Sequence, residues 1–473
     1  MTEVETFATL IQQTITPESE ESFQQASDQI LQIINTPGSI EVFIALFSLN
    51  TVSEAIKRGA LIYIEKILKS HWNDINQAAV KEWLSRSFSP QIPPSFILSI
   101  SHLISLVYQL DEQSWPELIG VLQSSYQQVP ILSSSIFSEI SGDINSEFFV
   151  SNFEHFLEIL QFYLTFPNQL VQSNGLSLFA VILSHIEDFD EVQSLLQPIV
   201  LIAQNSGNLI TENRTEESLT LFSKIWNSIS TITTQQLPIE FSGPLIETAI
   251  QFASSTVIPS NARQAAAIAV VNGVHAYDQP LESILQILID ICAQSISENN
   301  VLPFEDQIIF ENLLNCRAHS ETYPVFVSVL FQGLNSESQL HIAASLLAVR
   351  ALLSKVPELA QRDAANIASL INQGIESEDP LLIQCAGAVT ELFGGAPSYA
   401  ACAPQLLRSL IPYCAYTGEN ENEVRHHALK GCVSLADTTD CSINDILQIV
   451  WNLREAIDDK DKSLYFILPW PIS

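Results

Sequence analysis

The sequence predicts an all-α protein, a right-handed superhelical solenoid of stacked helix pairs. Three observations lead to this prediction. Apolar residues recur with the helical period along almost the whole chain, and strand-like alternation is nearly absent. Prolines and acidic-polar clusters interrupt the apolar pattern at about the length of one helix. A long series of closely linked helices, none able to bury its apolar face alone, is typical of repeat proteins.

The helical period is clear in two stretches. Ile56, Ala60 and Ile64 fall on one face of a predicted helix, and Phe156 and Leu160 share a face in another. Two Asn-Gly pairs, at residues 174–175 and 272–273, lie inside long apolar patterns and not between two alternating runs. Neither pair therefore predicts a β-hairpin.

Prolines mark the predicted helix starts and turns. Proline fits the first turn of a helix, where its missing N–H would be unpaired anyway, and disrupts a helix interior. We therefore predict helix starts or inter-helix turns at seven proline-containing positions. They are residues 16–17, 36–37, 92–93, 197–198, 237–238, 379–380 and 403–404.

Several predicted second helices open alike, with a branched or basic residue followed by small ones. Small residues let two helices approach closely, and this pattern is typical of HEAT-type repeats with a period of roughly 40 residues. At that period the chain holds about ten to eleven helix pairs in one continuous array. The similar openings are residues 55–60, 261–266, 382–387 and 423–428.

The charge balance restricts the partners. The chain has 19 Lys and Arg against 53 Asp and Glu, a net charge of −34. Nucleic acid and anionic membrane surfaces need basic stripes that this chain lacks, so neither is predicted as a partner. Acidity steers basic partners towards a protein. It also keeps a long apolar array soluble, and both interpretations stay open.

The apolar composition calls for a test of membrane insertion. Hydrophobic residues make up 47% of the chain and the mean hydropathy is +0.21. The purest apolar run, residues 265–271, is far shorter than the ~20 residues that span a bilayer. Residues 1–5 are acidic and lack the basic start of a signal peptide. We expect no membrane insertion and a location in the cytoplasm or nucleus.

No residue pattern predicts catalysis. The chain has no Gly-rich phosphate loop, no GxSxG elbow and no HExxH motif. The seven cysteines form no CxxC pair and are interpreted as buried free thiols. His426 and His427 lie near Cys432, but adjacent helical histidines point about 100° apart and no fourth ligand has a standard spacing. We predict a protein that is not an enzyme and has no cofactor or metal.

Three stretches within about residues 5–125 resemble one known family. The first is residues 10–17 (LIQQTITP), followed by Ala26 and by residues 36–38 (TPG). The second, residues 56–72 (IKRGALIYIEKILKSHW), is a basic and apolar helix that ends in an aromatic residue. The third, residues 111–118 (DEQSWPEL), is acidic and contains Trp-Pro. In this order they resemble the N-terminal repeats of the importin-β (karyopherin-β) nuclear transport family.

The resemblance implies different roles for the N-terminal part and the rest of the chain. Residues 1–125 resemble the family's N-terminal, GTPase-binding repeats, and residues 126–473 continue as HEAT-type repeats. The implied partners are a Ran-type small GTPase, basic protein cargo and Phe-Gly nucleoporins, the last in clefts between outer helices. The chain departs from the family in having Glu65-Lys66 where Lys-Asn is usual, and in resembling only the N-terminal arch. We expect a shortened or fragmentary member.

The predicted partner-binding residues lie in the second stretch: Lys57, Arg58, Glu65 and Lys69. Basic residues in so acidic a chain are candidates to contact a GTPase. Their alternative role is to pair with nearby acids or with a helix C-terminus.

Three other features have a functional and a structural interpretation. Trp72 and Trp115 are candidate partner hot spots, but core packing is the better interpretation of both. The acidic residues 418–423 are a candidate grip for basic cargo, with a solvated turn as the alternative.

Two functions remain open at this point. The first is a transport receptor, whose acidic residues we expect to concentrate on the inner helix of each pair. The second is a HEAT-repeat scaffold or regulatory subunit without GTPase coupling. Acids spread over both helices of each pair would indicate solubility alone and would weaken the first hypothesis.

Overall fold

The structure is a computed structural model of the whole chain. It describes residues 3–36, 38–112, 115–144, 146–186, 192–211, 214–235, 237–274, 280–333, 336–393, 399–416, 418 and 420–438. These residues form helices and turns, and the described ranges contain no β-strand. The chain divides into two compact units, Met1–Ile202 and Ala203–Ser473.

The first unit is a series of antiparallel helix pairs, each with a first and a second helix. The helices are α1 (Glu3–Ile15), α2 (Glu20–Ile34), α3 (Ser39–Ser48), α4 (Glu54–His71), α5 (Gln77–Arg86), α6 (Pro94–Leu110), α7 (Pro116–Ser125), α8 (Pro130–Ile140), α9 (Ser146–Ser151), α10 (Phe153–Thr165) and α11 (Gln169–Leu183). The pairs are α1/α2, α3/α4, α5/α6, α7/α8 and α10/α11, and the second helices from α4 to α11 pack on one another in order.

Helix α12 (Gln193–Asn205) contains the division between the units, and the second unit continues the same pattern. Its helices are α13 (Asn208–Thr211), α14 (Glu216–Thr233), α15 (Ile239–Ala253), α16 (Ser260–Gly273), α17 (Leu281–Asn299), α18 (Gln307–Asn315), α19 (His319–Gly333), α20 (Gln339–Lys355), α21 (Pro357–Ala360), α22 (Ala364–Glu376), α23 (Pro380–Phe393), α24 (Ala403–Leu410) and α25 (Glu421–Thr438). Five pairs lie within its described residues, namely α15/α16, α17/α18, α19/α20, α22/α23 and α24/α25. The predicted all-α stack of HEAT-type pairs is confirmed.

Local sequence explains most helix starts. Ser19 and Ser53 cap α2 and α4 by accepting hydrogen bonds from backbone N–H groups of the first turn. Prolines lie at the starts of α6, α23 and α24, as predicted, and they also open α7 and α8. The predicted position at Pro37 lies outside the described residues. The prediction at Pro198 is wrong, because that proline lies inside α12. Buried side chains on both sides, including Leu195 and Ile199, hold the helix through the proline, so packing outweighs its cost.

The two Asn-Gly pairs explain how neighbouring repeats pack. Asn174 of α11 donates from its amide to the hydroxyls of Ser134 and Ser135 on α8, at 3.0 and 3.1 Å. Asn272 of α16 donates in the same way to the Ser230 carbonyl of α14. Each Asn-Gly dipeptide thus links its own second helix to the preceding second helix, and neither dipeptide forms a hairpin.

The glycine of each Asn-Gly dipeptide lies on a second helix and lets the first helix of the same helix pair approach closely. A Cβ at Gly175 would lie 3.0 Å from the Tyr163 Cβ of α10, and one at Gly273 would lie 2.5 Å from Ile246 Cδ1 of α15. The asparagine and the glycine of one dipeptide therefore contact two different neighbouring helices.

Within the described ranges, no single helix is both long enough and apolar enough to cross a membrane. Two bent pairs satisfy the length and composition alone, Glu20–Ile34 with Ser39–Ser48 and Gln339–Lys355 with Pro357–Glu376.

Candidate functional site

Neighbouring second helices of the first unit share a polar ladder. On α4, Lys69 Nζ donates to Glu65 Oε1 at 2.6 Å. His102 of α6 lies next to the same carboxylate, with its Nε2 3.5 Å from Glu65 Oε1. The other ring nitrogen, Nδ1, is 3.5 Å from Glu139 Oε2 of α8. One histidine therefore connects the carboxylates of the helices on either side of it.

Exposed apolar and basic side chains flank this ladder. Ile62 of α4 and Leu98 of α6 are 54% and 59% exposed and lie one helical turn from Glu65 and His102 of the ladder. Arg58, one turn before Ile62, is exposed and forms no ion pair with a described residue. We call Arg58, Ile62, Glu65, Lys69, Leu98, His102 and Glu139 the N-terminal second-helix face.

The structure separates the four predicted partner-binding residues. Arg58, Glu65 and Lys69 belong to the N-terminal second-helix face. Lys57 is half-buried, and its Nζ lies 5.8 Å from the centre of the Phe47 ring of α3. Their partner-binding role stays a prediction. The alternative of pairing with a nearby acid describes the contact of Lys69 with Glu65, whereas Lys57 lies over an aromatic ring.

The ladder changes the acidity of Glu65. The hydrogen bond from Lys69 lowers the pKa of the Glu65 carboxyl, and burial opposes this effect; the charges of Lys69 and His102 add to the lowering. A depressed carboxyl pKa contributes stability above the ordinary pKa, and this contribution is lost as the pH falls through the folded value. The contribution of Glu65 to stability is therefore present above the ordinary carboxyl pKa and is lost in acid.

The Lys69→Met variant tests this cause. Loss of the ammonium group removes the largest favourable contact, so we expect the pKa of Glu65 to rise. Carbon-detected NMR titration of the labelled carboxyl measures it. Lys66→Met is a matched control on the same helix, because Lys66 lies over the Tyr63 ring. An unchanged pKa in Lys69→Met, or an equal rise in both variants, would contradict the assignment.

The other candidate residues from the sequence, Trp72, Trp115 and His427, are largely enclosed by neighbouring side chains. Trp72 and Trp115 are 7% and 2% exposed, in agreement with core packing. Burial lowers the pKa of His427 to about 4, helped by the positive charges of neighbouring groups. Among the described residues, no group of three or more His, Cys, Asp or Glu has the geometry to hold a metal ion.

The acidic residues 418–423 lie partly within α25. Glu421 is 2.9 Å from Arg425, and Glu423 is 4.0 Å from His427, one helical turn on. Thr417 and Glu419 lie outside the described residues. Both described pairs favour local helix pairing for these carboxylates.

Acidic residues are not concentrated on the second helices, which correspond to the inner helices of HEAT-type stacks. Four second helices, α6, α11, α16 and α20, contain no Asp or Glu. The first helix α17 alone carries Glu282, Asp290 and Glu298. This distribution favours solubility as the role of the acidity and weakens an acidic cargo face.

A cleft of about 290 Å³ lies between the first helices α22 and α24. Small residues on α22 leave the space open, and the thiol and apolar groups of α24 form the opposite wall. Ala365 and Ser369 are exposed at the cleft, so its opening faces outward. The lining residues are Ala365, Ala368, Ser369, Asn372, Cys402, Gln405 and Leu406.

Sequence reasoning missed four members of the N-terminal second-helix face. Ile62 and Leu98 each lie about 200° from the buried face of their helix, so the helical period could have marked both as exposed. His102 and Glu139 lie 37 residues apart in the chain, on different helices, and the fold brings them together. A search for residues at the repeat period from Glu65 is the one signal that would have indicated both.

Comparison with known proteins supports the fold. No model of a known protein family matches the sequence, and no curated protein matches it. Among solved structures, yeast importin-β (Kap95p) matches with a TM-score of 0.59 at 12% identity, over 98% of this chain and 66% of that one.

Kap121p is a second match. Kap121p bound to Nup53p has a TM-score of 0.57 at 12% identity over 96% of this chain, and Kap121p bound to Ste12p has 0.55 at 13% identity over 96%. The chain spans about half the length of these Kap121p chains, 48% in both cases. The described helices thus have the HEAT-repeat fold of the karyopherin-β proteins, which confirms the resemblance predicted from residues 10–118.

Proposed function

We propose that the chain is a nucleocytoplasmic transport receptor that binds a Ran-type small GTPase through the N-terminal second-helix face. It acts by binding and not by catalysis, and it works in the cytoplasm and nucleus, at nuclear pores. The observation that carries the proposal is the exposure of Arg58, Ile62 and Leu98 beside a polar ladder. Apolar and arginine side chains of this kind form the energetic centres of protein interfaces.

The ladder gives this face a means of control. It joins α4, α6 and α8, so a partner that contacts all three helices favours one spacing between them. In a repeat protein each helix pair touches its neighbours, so small changes in spacing accumulate along the stack. GTPase binding would then weaken cargo by selecting one spacing over another.

The cargo is proposed to be basic protein. A net charge of −34 attracts basic partners without a dedicated acidic face. Relatives of the same fold bind protein partners, as Kap121p does in its complexes with Ste12p and Pho4p. Because this attraction comes from the net charge and not from a dedicated face, we expect cargo binding to weaken steeply with salt.

The cleft between α22 and α24 is the proposed site for the Phe ring of a Phe-Gly nucleoporin. Its volume of about 290 Å³ accommodates one aromatic side chain with the backbone that carries it. Small residues on α22 provide the close approach that a glycine-flanked phenylalanine needs.

A substitution that fills the cleft tests this assignment. Ser369→Trp places an indole in the space, so we expect binding of a Phe-Gly repeat peptide to fall by tenfold or more. Fluorescence anisotropy of the labelled peptide measures the change. Ser124→Trp on α7 is the control, because Ser124 is an exposed serine on another first helix. Equal binding by both variants would place the peptide elsewhere.

A binding assay tests the main proposal. The purified chain is titrated with a Ran-type GTPase loaded with a non-hydrolysable GTP analogue and, separately, with GDP. We expect clear preference for the GTP form. If neither form binds, the transport proposal fails.

The second candidate is a HEAT-repeat scaffold or regulatory subunit without GTPase coupling. The absence of acids from the second helices α6, α11, α16 and α20 favours it, since a scaffold needs acidity only for solubility. It predicts protein binding that does not depend on any nucleotide.

A further inference from the structure

A surface groove of about 280 Å³ in the first unit has no role in the proposed function. It lies where three successive helix pairs turn from their first helix to their second. Its lining comes from residues 89–97 at the α5–α6 turn, residues 128–132 at the α7–α8 turn and Phe166 at the α10–α11 turn. We call it the turn-edge groove.

A ligand can reach this groove from the solvent. Pro94 is exposed, and Ile97, Ile131 and Phe166 are half-buried, so each presents part of its apolar surface. Leu132, which is 2% exposed, also lines the groove, so the groove extends down to a core side chain. A bound ligand would therefore cover apolar surface that water contacts now.

The turn-edge groove is electrically neutral. None of its lining residues is Asp, Glu, Lys, Arg or His. The stretches that contain the three turns, residues 87–110, 118–138 and 159–186, have no Asp, Glu, Lys or Arg, although these types make up 15% of the chain. A carboxylate borders the groove at one end, where Glu54 of α4 accepts a hydrogen bond from Ser95 at 3.1 Å. The neutral surface thus spans three helix pairs in a chain of net charge −34.

The lack of charge restricts the ligand. A charged group that enters the groove loses its hydration and meets no opposite charge in the lining, which is costly. A phosphate or carboxylate has no basic side chain to bind there, and a Lys or Arg side chain has no acid. The prolines and aliphatic side chains instead favour an uncharged, apolar ligand.

The length of the groove favours an extended ligand. Neighbouring packed helices lie ~8–10 Å apart, so a groove lined by successive helix pairs is at least about 10 Å long. A single aromatic ring would occupy only part of it. An extended peptide advances ~3.3 Å per residue and places every second side chain on one face. A segment of about four to six residues, apolar at alternate positions, therefore matches the groove.

Two polar side chains in the lining favour a peptide over a hydrocarbon chain. The Ser89 hydroxyl oxygen accepts a hydrogen bond from the Gln91 N–H at 3.3 Å, and its own O–H can donate. Gln128 is exposed, and its amide both donates and accepts. A peptide backbone offers N–H and C=O groups at every residue for such contacts, whereas an acyl chain offers none.

We propose that the turn-edge groove binds an extended, uncharged segment of a partner protein, with aliphatic side chains at alternate positions. The aliphatic side chains pack against Pro94, Ile97 and Ile131, and the peptide backbone bonds to Ser89 and Gln128. This partner differs from basic cargo, because the groove recognises it through apolar surface and not through charge. The proposal does not depend on GTPase binding or on the cleft between α22 and α24.

The test titrates the full chain with matched peptides at physiological salt, followed by isothermal titration calorimetry. The probe is acetyl-Leu-Ser-Ile-Ser-Val-amide, and acetyl-Leu-Ile-Val-Ser-Ser-amide has the same composition without the alternation. The second peptide puts one fewer apolar side chain on a common face, so we expect it to bind about tenfold more weakly. Acetyl-Leu-Ser-Asp-Ser-Val-amide places a charge in the groove and should bind weaker still.

A substitution in the lining locates the binding site. Ile131→Asp puts a carboxylate into the groove, and we expect at least a tenfold loss of affinity for the probe. Ile131 is the second residue of α8, where an acidic side chain suits the helix dipole, so the fold should survive. Ile308→Asp is the matched control, because Ile308 is also the second residue of its helix, α18, and is 60% exposed. Ile131→Leu keeps the apolar surface and should bind within about twofold of the unmodified chain.

Equal binding of the alternating and the rearranged peptide would overturn the proposal. Equal affinities of Ile131→Asp and Ile308→Asp for the probe would do the same, since the site would then lie elsewhere.

Two competitors distinguish the other possible ligands. A Phe-Gly repeat peptide that displaces the probe at equal concentration would make an aromatic ring the ligand, and phosphatidylcholine vesicles that displace it would make the ligand a lipid. Either result would contradict the assignment, and we expect neither. Ser369→Trp, which fills the cleft between α22 and α24, should leave probe binding unchanged, so this proposal and the nucleoporin proposal can fail separately.

Discussion

The Gly387→Ala variant should lose about 2–3 kcal/mol of the free energy of unfolding of the second unit. A Cβ at Gly387 would lie 2.7 Å from the backbone carbon and oxygen of His427, on α25. Backbone atoms have no rotamer to change, so α23 and α25 would have to separate. Gly431 of α25 meets Gly387 from the other side, and its own Cβ would be 3.1 Å from the Gly387 carbonyl oxygen.

Gly120→Ala is the matched control for this prediction. Gly120 lies inside α7, where a Cβ would meet nothing within 4 Å. Alanine there lowers the entropy of the unfolded chain and should stabilise the first unit by about 0.5–1 kcal/mol. Denaturant unfolding followed by circular dichroism, with the two transitions fitted separately, gives both values. A neutral Gly387→Ala would show that the two helices pack less closely than described.

The sequence predicted this contact only in part. The sequence shows residues 382–387 and 423–428 as similar helix openings, and their small residues predict that two helices approach closely there. The structure shows that these two openings face each other, with Gly387 against Ala428. Periodicity identifies which residues are small, but it does not say which helices meet.

Long-range contacts explain the other gaps between sequence and structure. Pro198 was assigned to a turn because local propensity was the one available guide, whereas buried neighbours keep it in α12. Lys57 and Arg58 are adjacent in sequence, yet one lies over Phe47 and the other is exposed.

For the N-terminal second-helix face, reversing the charge of Arg58 should weaken binding of the GTP-loaded GTPase by about tenfold or more. An arginine at an interface provides directed hydrogen bonds as well as charge, so Arg58→Glu removes both. Arg86→Glu on α5 changes the net charge by the same amount. Arg86 is 76% exposed and pairs with Glu82 on its own first helix. Surface plasmon resonance with the immobilised GTPase compares the two variants.

The apolar part of the same face should have the larger effect. Ile62→Asp combined with Leu98→Asp places two charges where an interface would bury apolar surface. We expect at least a thirtyfold loss of affinity, about 2 kcal/mol, mainly through faster dissociation. Both side chains are more than half exposed, so the fold should survive, and an unchanged melting temperature verifies this. Val150→Asp, at a residue 64% exposed on α9, is the matched control. If the double variant and Val150→Asp bind the GTPase equally well, the partner contacts another surface, and the ladder from Lys69 to Glu139 only joins neighbouring helices.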